Sequence, residues 1–292
     1  MRLSRFILLS STAWLVLHAV NATLVYNLEP SRYPFGTDSI FRYWDAAHYS
    51  AIASHGYYAS LWGFYPLYPF TVRVFAPLLG LNSRPDIAGA ILSTALLASF
   101  CLMQAKLVEQ RDENSQWLVP LTAGGWLMFL FSPASYIFHT NHTESLFLLL
   151  SFAAFLASRR GKWKTAALFA GLCALTRNQG VIMAVAIALD GALRRDGWGK
   201  RLSVFARSGV ISFLLFACYP LYQYYATGDA LTFLRQQSSA WRVVTTWHEW
   251  LGALWYANPW QDPNWRDHLH LFLFFLLLAS AIYFIRKRDY PL

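Results

Sequence analysis

Long stretches without a single Asp, Glu, Lys or Arg constrain this chain more than any other feature. Residues 6–28 form one such run of 23 residues, and others cover 87–105, 114–143, 208–228 and 268–285. At about 1.5 Å per helical residue, roughly 20 residues cross the hydrocarbon core of a bilayer. Shorter apolar runs at 145–158, 165–176 and 178–189 are bounded by Glu, Asp, Lys or Arg. Only 13% of the 292 residues are charged and 56% are hydrophobic, where ordinary soluble domains carry about one quarter charged residues. That balance excludes a soluble globular surface and a disordered chain alike. The chain reads as an all-α polytopic membrane protein, a single transmembrane unit over residues 1–292.

Orientation follows from the basic residues. Crossings at 6–28, 87–108, 117–138, 143–158, 165–176, 178–190, 205–226 and 269–285 leave sixteen of the 24 Lys and Arg residues on the side of the N-terminus. The clusters "SRRGKWK", "LRRDGWGKR" and "IRKR" all fall there, so the positive-inside rule makes that side cytoplasmic. Cytoplasmic loops beside anionic lipid account for the net charge of +9, and no nucleic-acid partner is implied. Residues 65–80, with Arg73 at their centre and three prolines, are predicted to lie as a helix in the outer interface. The two short runs around "TRNQG" are expected to pair as passes or as a re-entrant hairpin, with Arg177 toward the outer leaflet. Residues 1–22 resemble a signal peptide, but the apolar run continues to Leu28 and favours an uncleaved anchor. Cys101, Cys173 and Cys218 all sit in apolar stretches and read as small buried thiols.

Two long outer segments result, 29–86 and 227–268, both rich in Trp, Tyr and His. Most of those aromatics suit a belt at the membrane boundary. Ionisable groups next to apolar helices need another account. On a helix from about Trp44 to a stop at Gly56, Asp45 shares a face with His48, Tyr49 and Ile52; capping the helix start is its alternative role. Glu144 opens a 14-residue apolar stretch, where a carboxylate also suits the helix dipole. Asn141-His142-Thr143 just before it matches a glycosylation sequon by pattern alone. Arg177 between two apolar helices is costly unless paired, and suits a phosphate or carboxylate; a structural pairing with Asp45 or Glu144 is the alternative. The amphipathic stretch "GDALTFLRQQSSAW" (228–241) reads as an interface anchor. Together these groups describe an outer-face pocket with carboxylates, histidines, tyrosines and an arginine beside lipid. Group transfer from a lipid-linked phosphate donor fits it, because the phosphate lies at headgroup level while the tail stays in the bilayer. A transporter would show inverted repeats and midplane polar groups, and neither is found in the sequence.

The blocks "WDAAHYSAIASHGYY", "FYPLYPF", "NHTESLFLLLSF" and "AALFAGLCALTRNQG" occur, in this order, in a chain that resembles the phosphatidylinositol-glycan class V family. That family is the GPI mannosyltransferase II group with its bacterial relatives, in the GT-C glycosyltransferase superfamily. "GDALTFLRQQSSAW" resembles its next block, so the likeness runs from about residue 41 to 242. The resemblance implies a GT-C-like bundle of about eight membrane segments with outer-face juxtamembrane helices. It implies transfer of a hexose, usually mannose, with inversion, from a polyprenyl- or dolichyl-phosphate sugar to a glycolipid or glycan acceptor on the non-cytoplasmic face. The membrane would be the bacterial plasma membrane or, in a eukaryote, the endoplasmic reticulum. By this resemblance Asp45 matches the family's catalytic base, Glu144 its second acidic residue in "TESLF" and Arg177 the arginine of its "TR-N-G" block. His48 and His142 are expected to join Arg177 at the donor phosphate, and Trp44, Tyr49, Asn178, Gln237 and Trp241 to contact substrate. No metal ligand is assigned, and a divalent metal is left open. Family members continue through further C-terminal spans and a late Arg-Tyr motif, whereas this chain ends at Leu292. That implies a short member, a fragment, or one completed by a protein partner. A glycosyltransferase using another sugar and a non-catalytic membrane subunit are the competing readings.

Overall fold

The computed structural model describes residues 44–109, 123–132 and 135–239, with single positions between 5 and 20 and Phe275. Helix α1 (Asp45–His55) starts directly after Trp44, whose φ of 53° is rare for a side chain of this size. It ends at Gly56, where φ is 84° and the backbone N–H returns to the Ile52 carbonyl. Only glycine takes that conformation without strain. A short 3-10 turn (Ala59–Gly63) leads to α2 (Leu67–Leu78), which forms where an interfacial helix was expected. Its Tyr68, Val72 and Ala76 are buried, while Phe70, Arg73, Val74 and Leu78 are exposed. Tyr68 fixes it by a hydrogen bond to the Gly89 carbonyl (3.0 Å) and another shared with Ser93 (2.8 Å).

Pro85 opens the long helix α3 (Pro85–Glu109), a position where its missing N–H costs nothing. Beyond it come α4 (Ala123–Phe131), a 3-10 turn (Ser135–His139), α5 (Glu144–Arg159), α6 (Trp163–Ala174), α7 (Gln179–Leu193), α8 (Trp198–Thr227) and α9 (Thr232–Ser239). Helices α5 to α8 pack against their sequence neighbours through small residues: Ala154, Ala157, Ala166 and Ala170 form one buried cluster with Ile187. Small side chains let helix backbones approach closely where apolar burial gives little preference for one helix face over another. Ser212 adds an interhelical hydrogen bond to the Ala167 carbonyl at 2.9 Å.

Two of the described helices are long and apolar enough to cross a membrane, Pro85–Gln104 and Trp198–Thr227; Gln179–Leu193 is apolar but shorter. Exposed Val210, Phe213, Leu214 and Leu221 give α8 an uncovered apolar face, as a lipid-facing helix requires. The expected passes at 165–176 and 178–190 form a tight hairpin of 12 and 15 residues, α6 and α7. At about 1.5 Å per residue each is shorter than the hydrocarbon core. Of the other expected crossings, all of 269–285 except Phe275 and most of 6–28 lie outside the described residues, and only part of 117–138 lies within them. One expectation about the thiols needs correcting. Cys101 and Cys173 are buried, but Cys218 is exposed on α8, because an apolar stretch facing lipid keeps its side chains on the protein surface.

The α6–α7 turn closes on Gly180. A Cβ there would lie 2.1 Å from the backbone carbon and oxygen of Cys173. Backbone cannot rotate aside, so Gly180→Ala is expected to lower stability by about 3 kcal/mol or more. Thermal unfolding of the purified protein in detergent checks this; a midpoint equal to wild type would mean the hairpin closes differently.

Candidate active site

One end of the bundle gathers α1, the 3-10 turn at Ala59–Gly63, the loop before α5, the α6–α7 turn and α9. The basic turns between α5 and α6 (Arg160, Lys162) and between α7 and α8 (Arg194, Arg195) lie at the opposite end, since consecutive helices run antiparallel. At the first end a cleft of about 260 Å³ is lined by Asp45, Tyr49, Tyr65, Arg177, Asn178 and Gln237, among others.

Asp45 is the first residue of α1. It is exposed, and it makes no hydrogen bond or ion pair with any described residue. The helix start carries no side-chain cap, so the capping role weighed for Asp45 is not the one it adopts. Helix α1 is held in place by Asn141, which is fully buried and donates from Nδ2 to the Ala46 carbonyl (3.0 Å) and to Ser50 Oγ (2.8 Å). The sequon there is therefore inaccessible in the folded chain.

Arg177 sits in the α6–α7 turn and is anchored from α5. Its Nη1 donates to a Glu144 carboxylate oxygen and to Thr143 Oγ1 (3.0 Å), while Nε approaches Gln179 Oε1 at 3.4 Å. Glu144 thus orients the arginine instead of capping α5 with its side chain; the pairing with Glu144 weighed for Arg177 is the one formed. Nη2 has no hydrogen-bond partner among the described residues. A guanidinium held on one edge with the other edge open is suited to an oxyanion.

Tyr49 lines the cleft from one turn beyond Asp45, packed edge-on against Phe64 and Tyr68. Burial pushes its phenol well above the usual range, with the Asp45 charge adding to the effect, so it stays a neutral hydrogen-bond donor. Asn178 caps α7, its side chain accepting from the Gln179 N–H at 2.9 Å. Gln237 on α9 donates from Nε2 to the Gly63 carbonyl at 3.1 Å, docking α9 over the cleft.

Other expected members stand further off. His48 packs against Phe64 with ring centroids 5.0 Å apart. His142 is buried and shares a 2.8 Å hydrogen bond with Thr140. Trp44 is exposed and lies outside the cleft lining, and Trp241 lies outside the described residues. Conversely, the sequence reading passed over Thr143, Thr176 and Gln179, although all three flank residues it did select. Among the described residues no three His, Cys, Asp or Glu side chains converge as a metal site, and Glu144 is taken up by Arg177.

Burial lowers the pKa of His142 below 6.5; Glu144 and Asp45 oppose the shift and Arg177 adds to it. Burial also lowers that of His48, against the pull of Asp45. The folded state therefore binds fewer protons here than the unfolded chain. Stability from these sites is fully present above about pH 6.5 and is lost as pH falls below it, toward the folded pKa values. Unfolding midpoints measured from about pH 7.5 down to about pH 5 should fall, and His142→Asn should flatten the decline. An unchanged slope in that variant would assign the decline to other groups.

The profile of the family described as Mannosyltransferase (PIG-V) matches residues 35–250. The GPI mannosyltransferase 2 of Drosophila pseudoobscura pseudoobscura is 32% identical over 155 residues, 48% of this chain and 33% of its own length. The GPI alpha-1,6-mannosyltransferase 2 of Rattus norvegicus is 30% identical over 200 residues, 63% of this chain and 39% of its own. The protein of that name from Homo sapiens is 30% identical over 133 residues, 44% of this chain and 27% of its own. The chain thus matches between 27% and 39% of the length of these three curated relatives. No solved structure matches it significantly. The profile runs from before α1 to beyond α9 and takes in every residue of the cleft, and the chain belongs to the PIG-V mannosyltransferase family.

Proposed function

We propose that the protein transfers mannose from a polyprenyl- or dolichyl-phosphate donor to a glycolipid or glycan acceptor. One observation carries the reading: Asp45, a carboxylate with no hydrogen bond to the described residues, and Arg177, an arginine anchored on one edge, line the same cleft. A single displacement needs both. Asp45 takes the proton of an acceptor hydroxyl as its oxygen bonds to the sugar C1; the C1–O bond to the phosphate breaks, with inversion, and the lipid phosphate leaves as an anion. Arg177 faces that developing charge, held by Glu144 and Thr143 so that little reorganisation is needed during reaction. A cationic role for His48 or His142 is disfavoured by burial, which leaves the phosphate to Arg177, while Tyr49, Asn178 and Gln237 offer neutral donors to the sugars.

Basic turns at the far end of the bundle suit cytoplasmic loops, and the cleft then faces the non-cytoplasmic side. About eight membrane segments would complete the bundle in a bacterial plasma membrane or an endoplasmic reticulum. The test is mannosyl transfer by the purified chain in nanodiscs, from radiolabelled polyprenyl-phosphate mannose to a mixed lipid extract. Label moving to a new lipid or glycan, with free polyprenyl phosphate released in equal amount, is expected. Donor that binds but never transfers would overturn the reading for this chain alone and point to a completing partner.

A further inference from the structure

A second cavity, of about 440 Å³, adjoins the cleft. Pro66, Leu67 and Leu175 line it, where Tyr65 and Thr176 line the cleft, and the Leu67 N–H bonds to the Leu175 carbonyl (3.0 Å) in the wall between them. Among the described residues its remaining lining is apolar or aromatic, including Ile52, Tyr57, Phe70 and Tyr222, with Arg73 as the one charged group. Arg73 is exposed and has no hydrogen bond or ion pair with any described residue. It stands on the outward face of α2 among exposed Phe70, Val74 and Leu78. A largely apolar cavity within the size range of ligand sites, with a single unpaired guanidinium, fits a hydrocarbon chain bearing an anionic head.

The position of Arg73 selects between lipids. In a polyprenyl-phosphate sugar the phosphate is bonded to the reacting carbon, so it must lie in the cleft with Asp45. Arg73 is six residues beyond Leu67, about 9 Å further along the helix axis from the wall. In a glycolipid acceptor, by contrast, sugars separate the reacting hydroxyl from the lipid phosphate, which can then sit outside the cleft. We propose that this cavity holds the hydrocarbon anchor of the acceptor, a phosphate-bearing glycolipid, with Arg73 pairing its phosphate. The assignment rests on the mannosyl-transfer reading.

Native mass spectrometry of the full chain in detergent, loaded with phosphatidylinositol, phosphatidylserine or undecaprenyl phosphate, tests it. Cys218 is an exposed lining residue, so Cys218→Trp fills the cavity without disturbing a packed core. Arg73→Gln and Cys218→Trp should each lower phosphatidylinositol retention about tenfold, roughly the loss of one charge-assisted contact. Arg73→Lys should restore part of it, and undecaprenyl phosphate should be retained as in wild type. Equal loss of undecaprenyl phosphate would assign the cavity to the donor and overturn the proposal. So would unchanged retention in both variants, or a loss in Arg73→Gln shared by every anionic lipid with none in Cys218→Trp, which would mark surface attraction alone. Retention that follows these substitutions in a protein that transfers no mannose overturns the transferase reading and leaves the lipid-phosphate site standing.

Discussion

Asp45→Asn is expected to cut mannosyl transfer by about a thousandfold or more, the scale of a lost general base, while donor retention and thermal stability stay near wild type. The substitution keeps the shape of the side chain and removes only its capacity to accept a proton. Little structure depends on the carboxylate, since Asp45 is exposed and makes no hydrogen bond or ion pair with the described residues. Its one evident structural contribution is a negative charge in the first turn of α1, worth about 0.3–1 kcal/mol through the helix dipole. The two roles therefore separate by magnitude. A base gives a large loss of turnover with little loss of stability, and a dipole partner gives the reverse. Radiolabel transfer and unfolding measured on the same preparation decide it; turnover within a fewfold of wild type would remove Asp45 as the base.

The strained residue beside it sharpens that expectation. Trp44 holds φ at 53° and is largely exposed, an arrangement costing about 1–3 kcal/mol unless its surroundings impose it. Such strain next to a carboxylate with no hydrogen bond to the described residues suits a helix start placed for chemistry.

How much of this was legible beforehand varies with the kind of signal. Local signals were reliable: the α1 start near Trp44, its stop at Gly56, and the helix over 65–80 follow from turn and face patterns that act over a few residues. Span boundaries were less so. The charge-free run covers 208–228 and the expected crossing 205–226, yet α8 runs from Trp198 to Thr227 and takes in Lys200 and Arg201 as well. Helix hydrogen bonding continues past the point where charge becomes tolerable, so a charge rule marks the hydrocarbon boundary and not the helix end. Nor could apolar periodicity say which face of α8 is covered, because a lipid-facing side is as apolar as a packed one. Selecting Glu144 and Arg177 was within reach, since ionisable groups beside apolar helices need partners. Which of the two carboxylates Arg177 would meet was not, because that depends on how α5 lies against the α6–α7 turn. Thr143 was missed for the same reason: its hydroxyl matters only once Arg177 lies beside it.

Arg177→Ala carries the second large effect. Transfer should fall about a hundredfold or more, as when one preorganised oxyanion donor is removed, and undecaprenyl phosphate should be retained less well. Glu144→Gln should do less, because it leaves the guanidinium in place and weakens only its anchor. The two substitutions should also fail to add. Once Arg177 is gone Glu144 has no arginine to orient, so Glu144→Gln/Arg177→Ala should transfer mannose at the rate of Arg177→Ala alone. A purely structural ion pair behaves otherwise. Both side chains are partly exposed, at 32% and 21%, so breaking such a pair would cost modest stability from either side, with normal turnover in the protein that remains folded. Kinetics scaled to folded protein distinguish the two, and full activity in Arg177→Ala would return the arginine to a structural role. Lysine at this position supplies the charge without the fork that lets Arg177 hold Glu144 and Thr143 and still present a free edge. Arg177→Lys should therefore recover retention of undecaprenyl phosphate more fully than it recovers turnover, since retention needs a cation near the phosphate and turnover needs that cation held in place.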